Sequence, residues 1–205
     1  MPGQPLLIAT TNPGKVAEIL PILRVSGRRL LTLADAPALH APEETGRTFA
    51  DNAWLKAEFY ARATGWPTVA EDSGLAIAAL GGRPGVESAR YPGETYRDKF
   101  ANLYAELAPH APPWPAAFVC ALAFVDMPIG RLAFSTEGRV EGTIGSAPRG
   151  AGGFGYDPIF FYPPYGLTLA EVDADRKAAV SHRGHAFTAF TRWLATGAPT
   201  RTPTG

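Results

Sequence analysis

At 205 residues with 46% apolar side chains, the chain is long enough for one large domain or two closely joined lobes and apolar enough to fill a real core. Nineteen basic residues balance nineteen acidic ones, so no broad basic face is available for nonspecific binding of DNA, RNA or an anionic membrane, and a bound anion must be met by a local cluster. The single Cys120, in "AAFVCALAFV", excludes a disulfide framework and reads as a buried small hydrophobe.

The first twelve residues, "MPGQPLLIATTN", lack the basic start and long apolar stretch of a signal peptide. The longest apolar run, residues 116–125, is too short to span a bilayer, so a cytoplasmic protein is expected. Residues 5–10 read as a buried strand and residues 13–26 as a helix, with Val16, Ile19, Leu20 and Leu23 on one face and a kink at Pro21. After the apolar "RLLTL" and a turn-rich stretch to residue 46 comes a helix at 48–64, opened by a capping box of Thr48 and Asp51. Its Ala53, Ala57, Tyr60 and Ala61 face a core, while Asn52 and Lys56, one turn apart, share another side. "PTVAE" at 67–71 reads as a strand ended by the turn residues "DSG".

A Gly/Pro loop, "GGRPGVESARYPGE", precedes a helix at 96–107 carrying Phe100, Leu103, Tyr104 and Leu107 on one face. Residues 116–126 and 131–144 read as two long strands in a hairpin. A glycine-dense loop, "GAGGFGYDP", leads into "IFF", and helices at 168–178 and 181–195 close the fold. The pattern is mixed α/β, with residues 1–195 as one domain and residues 196–205 as a disordered tail.

Several stretches carry chemistry. In "ATTNPGKV" Asn12 reads as a helix cap and Pro13 as the first helical residue, which places Lys15 in the first turn. There the helix dipole disfavours a cation by about 0.3 to 1 kcal/mol, so an anion should offset it. A Walker loop is ruled out, since Ala9 and Val16 stand where that motif needs Gly and Ser or Thr. Free N–H groups at Thr11, Asn12 and Gly14 with the Lys15 ammonium would still hold phosphate oxygens; the alternative is an ordinary capped helix with a solvated lysine.

"APEETG" and "AEDSG" each contain two adjacent acids, whose side chains point to opposite faces of an extended chain. Glu44 and Asp72, each nearer its turn, are the pair chosen for a site, and two carboxylates completed by phosphate and water suit Mg²⁺. Solvated turns are the alternative in each case. "GAGGFG" spells a dinucleotide fingerprint, but "YDPIFF" puts a proline where the helix should begin. A loop presenting Phe154 or Tyr156 for stacking on a base fits better, with a plain turn as the alternative. In "DADRKAAVSHRGHAF" a zinc site lacks a third ligand, because His40 and His110 lie in unrelated loops. Ser181 resembles an N-cap, which again sets cations, His182 and Arg183, at a helix start.

Taken in order, "IATTNPGK", "EETGRTFADNAWLKA", "AEDSGLAIAALGGRPGVESARY", "GGFGYDPIFF" and "KAAVSHRGHAF" resemble the inosine triphosphate pyrophosphatase family, over residues 8 to about 190. The resemblance implies an elongated mixed sheet flanked by helices, two lobes around a central cleft, a homodimer, and hydrolysis of ITP, dITP and XTP to the monophosphate and pyrophosphate. It carries triphosphate binding to Thr10, Thr11, Asn12, Pro13, Gly14, Lys15 and Lys56, and Mg²⁺ binding to Glu44 and Asp72. It further implies that Asp72 is the general base, that Ser73 touches substrate, and that Phe154, Gly155, Tyr156, Asp157, Lys177, His182 and Arg183 recognise the base. Thr11 stands where many relatives have glycine, and Glu71 where some have aspartate. Three rival readings remain: a pyrophosphatase for pyrimidine or methylated nucleotides, a nucleotide sensor without catalysis, and a nucleic-acid-binding module, which the neutral charge disfavours.

Overall fold

The apolar run near the start of the sequence forms β1 (Leu6–Ile8), with all of its side chains buried, in a computed structural model that describes residues 4–127 and 129–196. There follow α1 (Pro13–Arg24), β2 (Leu30–Thr32), α2 (Phe49–Thr64), β3 (Thr68–Ile77), α3 (Tyr96–Leu107), β4 (Trp114–Asp126), β5 (Arg131–Ile144), β6 (Phe160–Tyr162), β7 (Leu167–Thr168), α4 (Ala174–Val180) and α5 (His182–Thr196). The strands form one seven-stranded sheet in the order β2-β1-β3-β4-β5-β6-β7. Because β1 is parallel to β2 and β3 while β6 is antiparallel to β5 and β7, the sheet is mixed, and the α/β reading of the sequence is borne out. None of the described helices is long and apolar enough to cross a membrane.

The chain divides into two units. The first comprises the residues up to Asp72, Cys120–Gly138 and the residues from Arg183 on. Its strands sort their side chains with a period of two. Leu6, Ile8, Val69, Cys120, Leu122 and Phe124 pack in one cluster with Ile19 and Leu23 of α1 and with Ala186, Phe187 and Phe190 of α5. Leu7, Ala9, Ala70, Ala121, Ala123 and Val125 pack in another with Ala53, Ala57, Tyr60 and Ala61 of α2. One sheet face therefore belongs to α1 and α5, the other to α2. The capping box expected for α2 is present, with Thr48 Oγ1 accepting from the Asp51 N–H and Asp51 Oδ2 from the Thr48 N–H, both at 3.1 Å.

The second unit, Ser73–Val119 with Arg139–His182, is built on a single cluster. In it Leu75 and Ile77 meet Phe100, Leu103 and Leu107 of α3, Phe118 of β4, Val140 and Ile144 of β5, and Phe160.

Four expectations change. The strand read at 67–71 does not end at "DSG" but runs on to Ile77. Gly74 serves close packing there rather than a turn: a Cβ on it would lie 2.3 Å from Ser88 Oγ and 2.6 Å from the Gly85 carbonyl oxygen. Ser88 is the clasp, its hydroxyl donating to Gly85 O at 2.6 Å and accepting from the Leu75 N–H at 2.9 Å. The helix read at 168–178 is instead β7 followed by α4, because the Asp173 carboxylate caps the Arg176 N–H at 2.9 Å and so fixes the helix start at Ala174. α1 stops at Arg24 rather than residue 26. Thr196 still belongs to α5, and the rest of the expected tail lies outside the described residues.

Gly74→Ala should destabilise the protein by about 1 to 3 kcal/mol, the usual cost of overpacking, since one of the atoms in the way is backbone. A urea titration with unchanged slope and a lower midpoint checks this.

Candidate active site

The first turn of α1 folds as the sequence predicts. Asn12 is extended and caps the helix, its Oδ1 accepting from the Gly14 N–H at 2.9 Å and the Lys15 N–H at 3.2 Å, and Pro13 is the first helical residue. The Asn12 N–H donates to Thr10 Oγ1 at 3.2 Å. Two of the three N–H groups expected to be free, those of Asn12 and Gly14, are thus engaged by the turn's own side chains. Thr11, Asn12 and Pro13 are exposed, and Thr10 is half-buried.

Glu71 and Asp72 are consecutive residues of β3, so they face opposite sides of the strand. Asp72 follows Ala70 to the α2 side. Its Oδ2 accepts from Asn52 Nδ2 at 3.1 Å, and Lys56 Nζ lies 3.2 Å from its Oδ1. The same ammonium stands 2.5 Å from Glu44 Oε1, so Glu44 and Asp72, far apart in sequence, meet around one cation. In "APEETG" the alternation also holds, with Glu43 exposed and Glu44 half-buried. Burial pushes the Asp72 carboxyl above the usual aspartate range, Lys56 opposes this, and the charges of Glu44 and Glu71 push it further up. Burial alone would depress the Lys56 ammonium, but Asp72, Glu71 and Glu44 outweigh it and hold it above the ordinary lysine value.

Two carboxylates crowded at one point are the donor set a hard divalent cation takes when substrate oxygens and water complete its shell, so these residues fit Mg²⁺. Among the described residues no three His, Cys, Asp or Glu side chains gather as a metal centre.

Glu71 follows Val69 to the other face. Its Oε1 is 2.6 Å from Lys15 Nζ, and its Oε2 is 3.8 Å from Arg183 Nη2. Cys120 Sγ lies 3.5 Å from the same Oε2, where its thiol donates. Arg183 also pairs with Glu18 of α1 at 2.5 Å. The anion that the position of Lys15 calls for is therefore supplied from within the protein. Burial would raise the Glu71 carboxyl, but Lys15, Arg183 and Lys56 overcome it and hold the group well below the usual carboxylate range.

In the second unit, Asp157 gathers the glycine loop. Its Oδ2 accepts from the Phe154 N–H at 2.7 Å and from Lys177 Nζ at 2.5 Å. Gly153 must be glycine, because its φ is +66° and a Cβ would strike that carboxylate at 2.2 Å. The Lys177 ammonium sits 5.1 Å over the Phe154 ring. Tyr156 is buried, edge-on to Tyr96, and donates its hydroxyl to the Ser88 carbonyl at 2.9 Å, whereas Phe154 is half-buried. Gly155 takes a left-handed φ of +67°. His182 lies buried and stacked on Phe118 at 4.9 Å. Ser73 is half-buried on β3.

Within the first unit the fold thus brings together Lys15 and Arg183, and separately Glu44, Lys56 and Asp72; within the second it brings together Phe154, Asp157 and Lys177. Sequence reasoning passed over Asn52, Glu71 and Glu18. Asn52 carried a signal in its position one turn from Lys56, and Glu71 in its place beside Asp72. Glu18, one turn beyond Lys15, gave none, because its partner lies 165 residues away.

A family model described as the Ham1 family matches residues 6–193. The chain is 48% identical over 202 residues to a dITP/XTP pyrophosphatase of Thermus thermophilus, covering 97% of this chain and 96% of the relative. It is 45% identical over 192 residues to a dITP/XTP pyrophosphatase of Bacillus subtilis, covering 92% and 96%. Among solved structures it is similar to a HAM1 protein from Coxiella burnetii, with a TM-score of 0.85, 37% identity and coverage of 94% and 99%. It is also similar to a nucleoside-triphosphatase / dITP/XTP pyrophosphatase from Mycobacterium abscessus, with a TM-score of 0.73, 42% identity and coverage of 91% and 97%.

Asn52 holds both Asp72 and, through Oδ1, the Gly46 N–H at 2.8 Å, which anchors the loop that carries Glu44. Asn52→Leu leaves the buried Asp72 carboxylate and the half-buried Gly46 N–H without that partner and should cost about 1 to 3 kcal/mol. The midpoint of urea unfolding, compared with the unaltered protein, checks this.

Proposed function

This chain belongs to the Ham1 family, and we propose that it hydrolyses non-standard purine nucleoside triphosphates, ITP, dITP and XTP, to the nucleoside monophosphate and pyrophosphate, removing them from the nucleotide pool. The observation that carries the reading is the convergence of Glu44 and Asp72 on the Lys56 ammonium. A site that only gripped a triphosphate would gain nothing from two carboxylates, which repel it unless a cation intervenes.

In this reading the triphosphate lies along Thr10 to Lys15 and Lys56. Mg²⁺, held by Glu44 and Asp72, would neutralise charge on the phosphoryl oxygens. Asp72 takes the proton from the water that attacks the α-phosphorus. Asn52 and Lys56 fix the orientation of its two oxygens, and burial makes it a stronger base than a solvated aspartate. A positioned base contributes about 10² to 10⁴ in rate, while enzymes generally lower the barrier by at least ~8 kcal/mol, so Asp72 needs the cations around it. Lys15 and Lys56 supply part of that difference by holding the phosphates in line and stabilising the leaving pyrophosphate. Ser73, next along β3, contacts the substrate.

We assign stacking on the base to Phe154, whose ring is half-buried beneath Lys177, rather than to the buried Tyr156, which stays with the substrate-binding residues through its place in the same loop. Asp157 and Lys177 hold that loop, and Gly155 lets it turn with a left-handed φ. Inosine and xanthosine present a carbonyl at position 6 and adenosine an amino group, so donors from His182, Arg183 or nearby backbone favour the former. Facing such donors with an amino group costs about 1 to 3 kcal/mol each. A homodimer in the cytoplasm belongs to the same proposal, and the assembly is read by sedimentation.

Released pyrophosphate measured on ITP, XTP, GTP, ATP and dTTP tests the reading: ITP and XTP should lead, and equal rates on ATP and ITP would overturn the selectivity. A preference for dTTP would favour the pyrimidine rival. Chelation with EDTA should stop turnover, and added Mg²⁺ should restore it. Asp72→Asn should abolish turnover and keep nucleotide binding; normal turnover would remove it as the base.

A further inference from the structure

Glu71 takes no part in the reaction described above, yet at 2% exposure it is the least exposed carboxylate residue among the described residues. Its two oxygens face different cations, Oε1 meeting Lys15 at 2.6 Å and Oε2 meeting Arg183 at 3.8 Å. We propose that Glu71 is a positioning residue that couples the two ends of substrate recognition, because Lys15, assigned to the triphosphate, and Arg183, assigned to the base, share its one carboxylate. The inference rests on the reading of the site given above.

The asymmetry of the two contacts gives the coupling its direction. The Lys15 side chain keeps 17% of its surface, sits at the mouth of the first turn of α1, and is a flexible point charge, so an arriving phosphate can draw it away. The Arg183 side chain keeps 2% and is held on its other side by Glu18, so it cannot leave. Once Lys15 turns to phosphate, the buried charge of Glu71 is left to Arg183. The 3.8 Å contact, longer than a hydrogen bond, has room to shorten. Filling the phosphate end thereby fixes the guanidinium at the base end. Glu71 is not needed merely to neutralise Arg183, since Glu18 already pairs with it at 2.5 Å.

The test compares Lys15→Met, Glu71→Gln, Glu71→Asp and the double variant Lys15→Met/Glu71→Gln. The readouts are kcat and KM for dITP and dATP from pyrophosphate release, inhibition by inorganic tripolyphosphate, which has a phosphate end and no base, and thermal melting. Lys15→Met should weaken tripolyphosphate inhibition and also lower the dITP-over-dATP ratio of kcat/KM, by about 5- to 150-fold if the coupling is of ordinary size. Glu71→Gln should lower that ratio similarly while tripolyphosphate inhibits it at least as well as before, because Lys15 is no longer held back. Glu71→Asp should recover part of the ratio, and the double variant should lose no more selectivity than the single ones.

A Lys15→Met variant that loses only phosphate affinity, or losses of selectivity that add in the double variant, would overturn the coupling. So would a Glu71→Gln variant that melts lower with its ratio unchanged. Should Glu71→Gln fail to fold, the ratio in Lys15→Met decides alone, since a lysine that only binds phosphate would leave it fixed. Absence of pyrophosphate release from dITP by the unaltered protein would overturn the reaction assigned above and this coupling with it. A normal ratio that neither variant moves would overturn the coupling alone.

Discussion

A carboxylate removed from water must have cations brought to it, and β3 buries two on consecutive residues, Glu71 and Asp72. The effective penalty for an unpaired buried ion is several kcal/mol, so both positions constrain whatever packs against them. The period of the strand decides how. Glu71 is sent to the face covered by α1 and α5, and Asp72 to the face covered by α2. Each helix then offers its cation where the carboxylate emerges: Lys15 from the first turn of α1, Arg183 from the first turn of α5, and Lys56 from the second turn of α2. The apolar clusters on the two faces hold those helices in register. Ile19, Leu23, Phe187 and Phe190 on one side and the alanine stripe of α2 on the other are thus as much a part of the electrostatics as the charges themselves.

The two neighbours consequently titrate in opposite directions. Glu71 faces two close cations and is held low, while Asp72 shares its one ammonium with Glu44 and is pushed up by burial. Pairs of titratable groups driven apart by their surroundings mark the division of labour in a site, one group staying charged as a fixed element and the other able to exchange a proton. Here the division is made by one residue of offset along a strand. A one-residue slip of β3 would exchange the two faces, turning Glu71 away from Lys15 and Asp72 away from Lys56 and Glu44.

Local chemistry in this sequence is legible where the signal is short-ranged. Asn12, Thr48 and Asp51 cap as their types require, the alanines of α2 face the core, and the alternation of acids turns Glu44 rather than Glu43 inward and sends Glu71 and Asp72 to opposite faces of β3. Reading failed where a residue had two possible duties. Ser73 and Gly74 spell a turn, but Gly74 is small because Ser88 and the Gly85 carbonyl press against it, contacts set by residues more than ten positions on. "LTLAEVD" looks helical by pattern, but Asp173 spends its carboxylate on a cap. Of the candidate site, single acids and cations can be named in the sequence, but which of them partner cannot. Nothing local pairs Glu18 with Arg183, or tells Lys15 that its first anion is Glu71.

The choice of cation follows the same logic. The chain has only four lysines among nineteen basic residues, and all four are engaged: Lys15 with Glu71, Lys56 with Glu44 and Asp72, Lys177 with Asp157, and Lys99 with the Ala89 carbonyl and the Tyr96 ring. The fourth, which no motif claimed, is buried and ties α3 to the Gly/Pro loop, so it is structural. Arginines such as Arg62, Arg83 and Arg139 instead make their ion pairs half or more exposed, where a rigid fork loses little by staying hydrated. Arg183 breaks the pattern: it is buried, and two carboxylates on separate elements, Glu18 of α1 and Glu71 of β3, face different atoms of its guanidinium. The planar fork presents separate N–H groups to the two carboxylates from fixed positions, which suits position 183, whereas a compact ammonium on a flexible stem suits position 15.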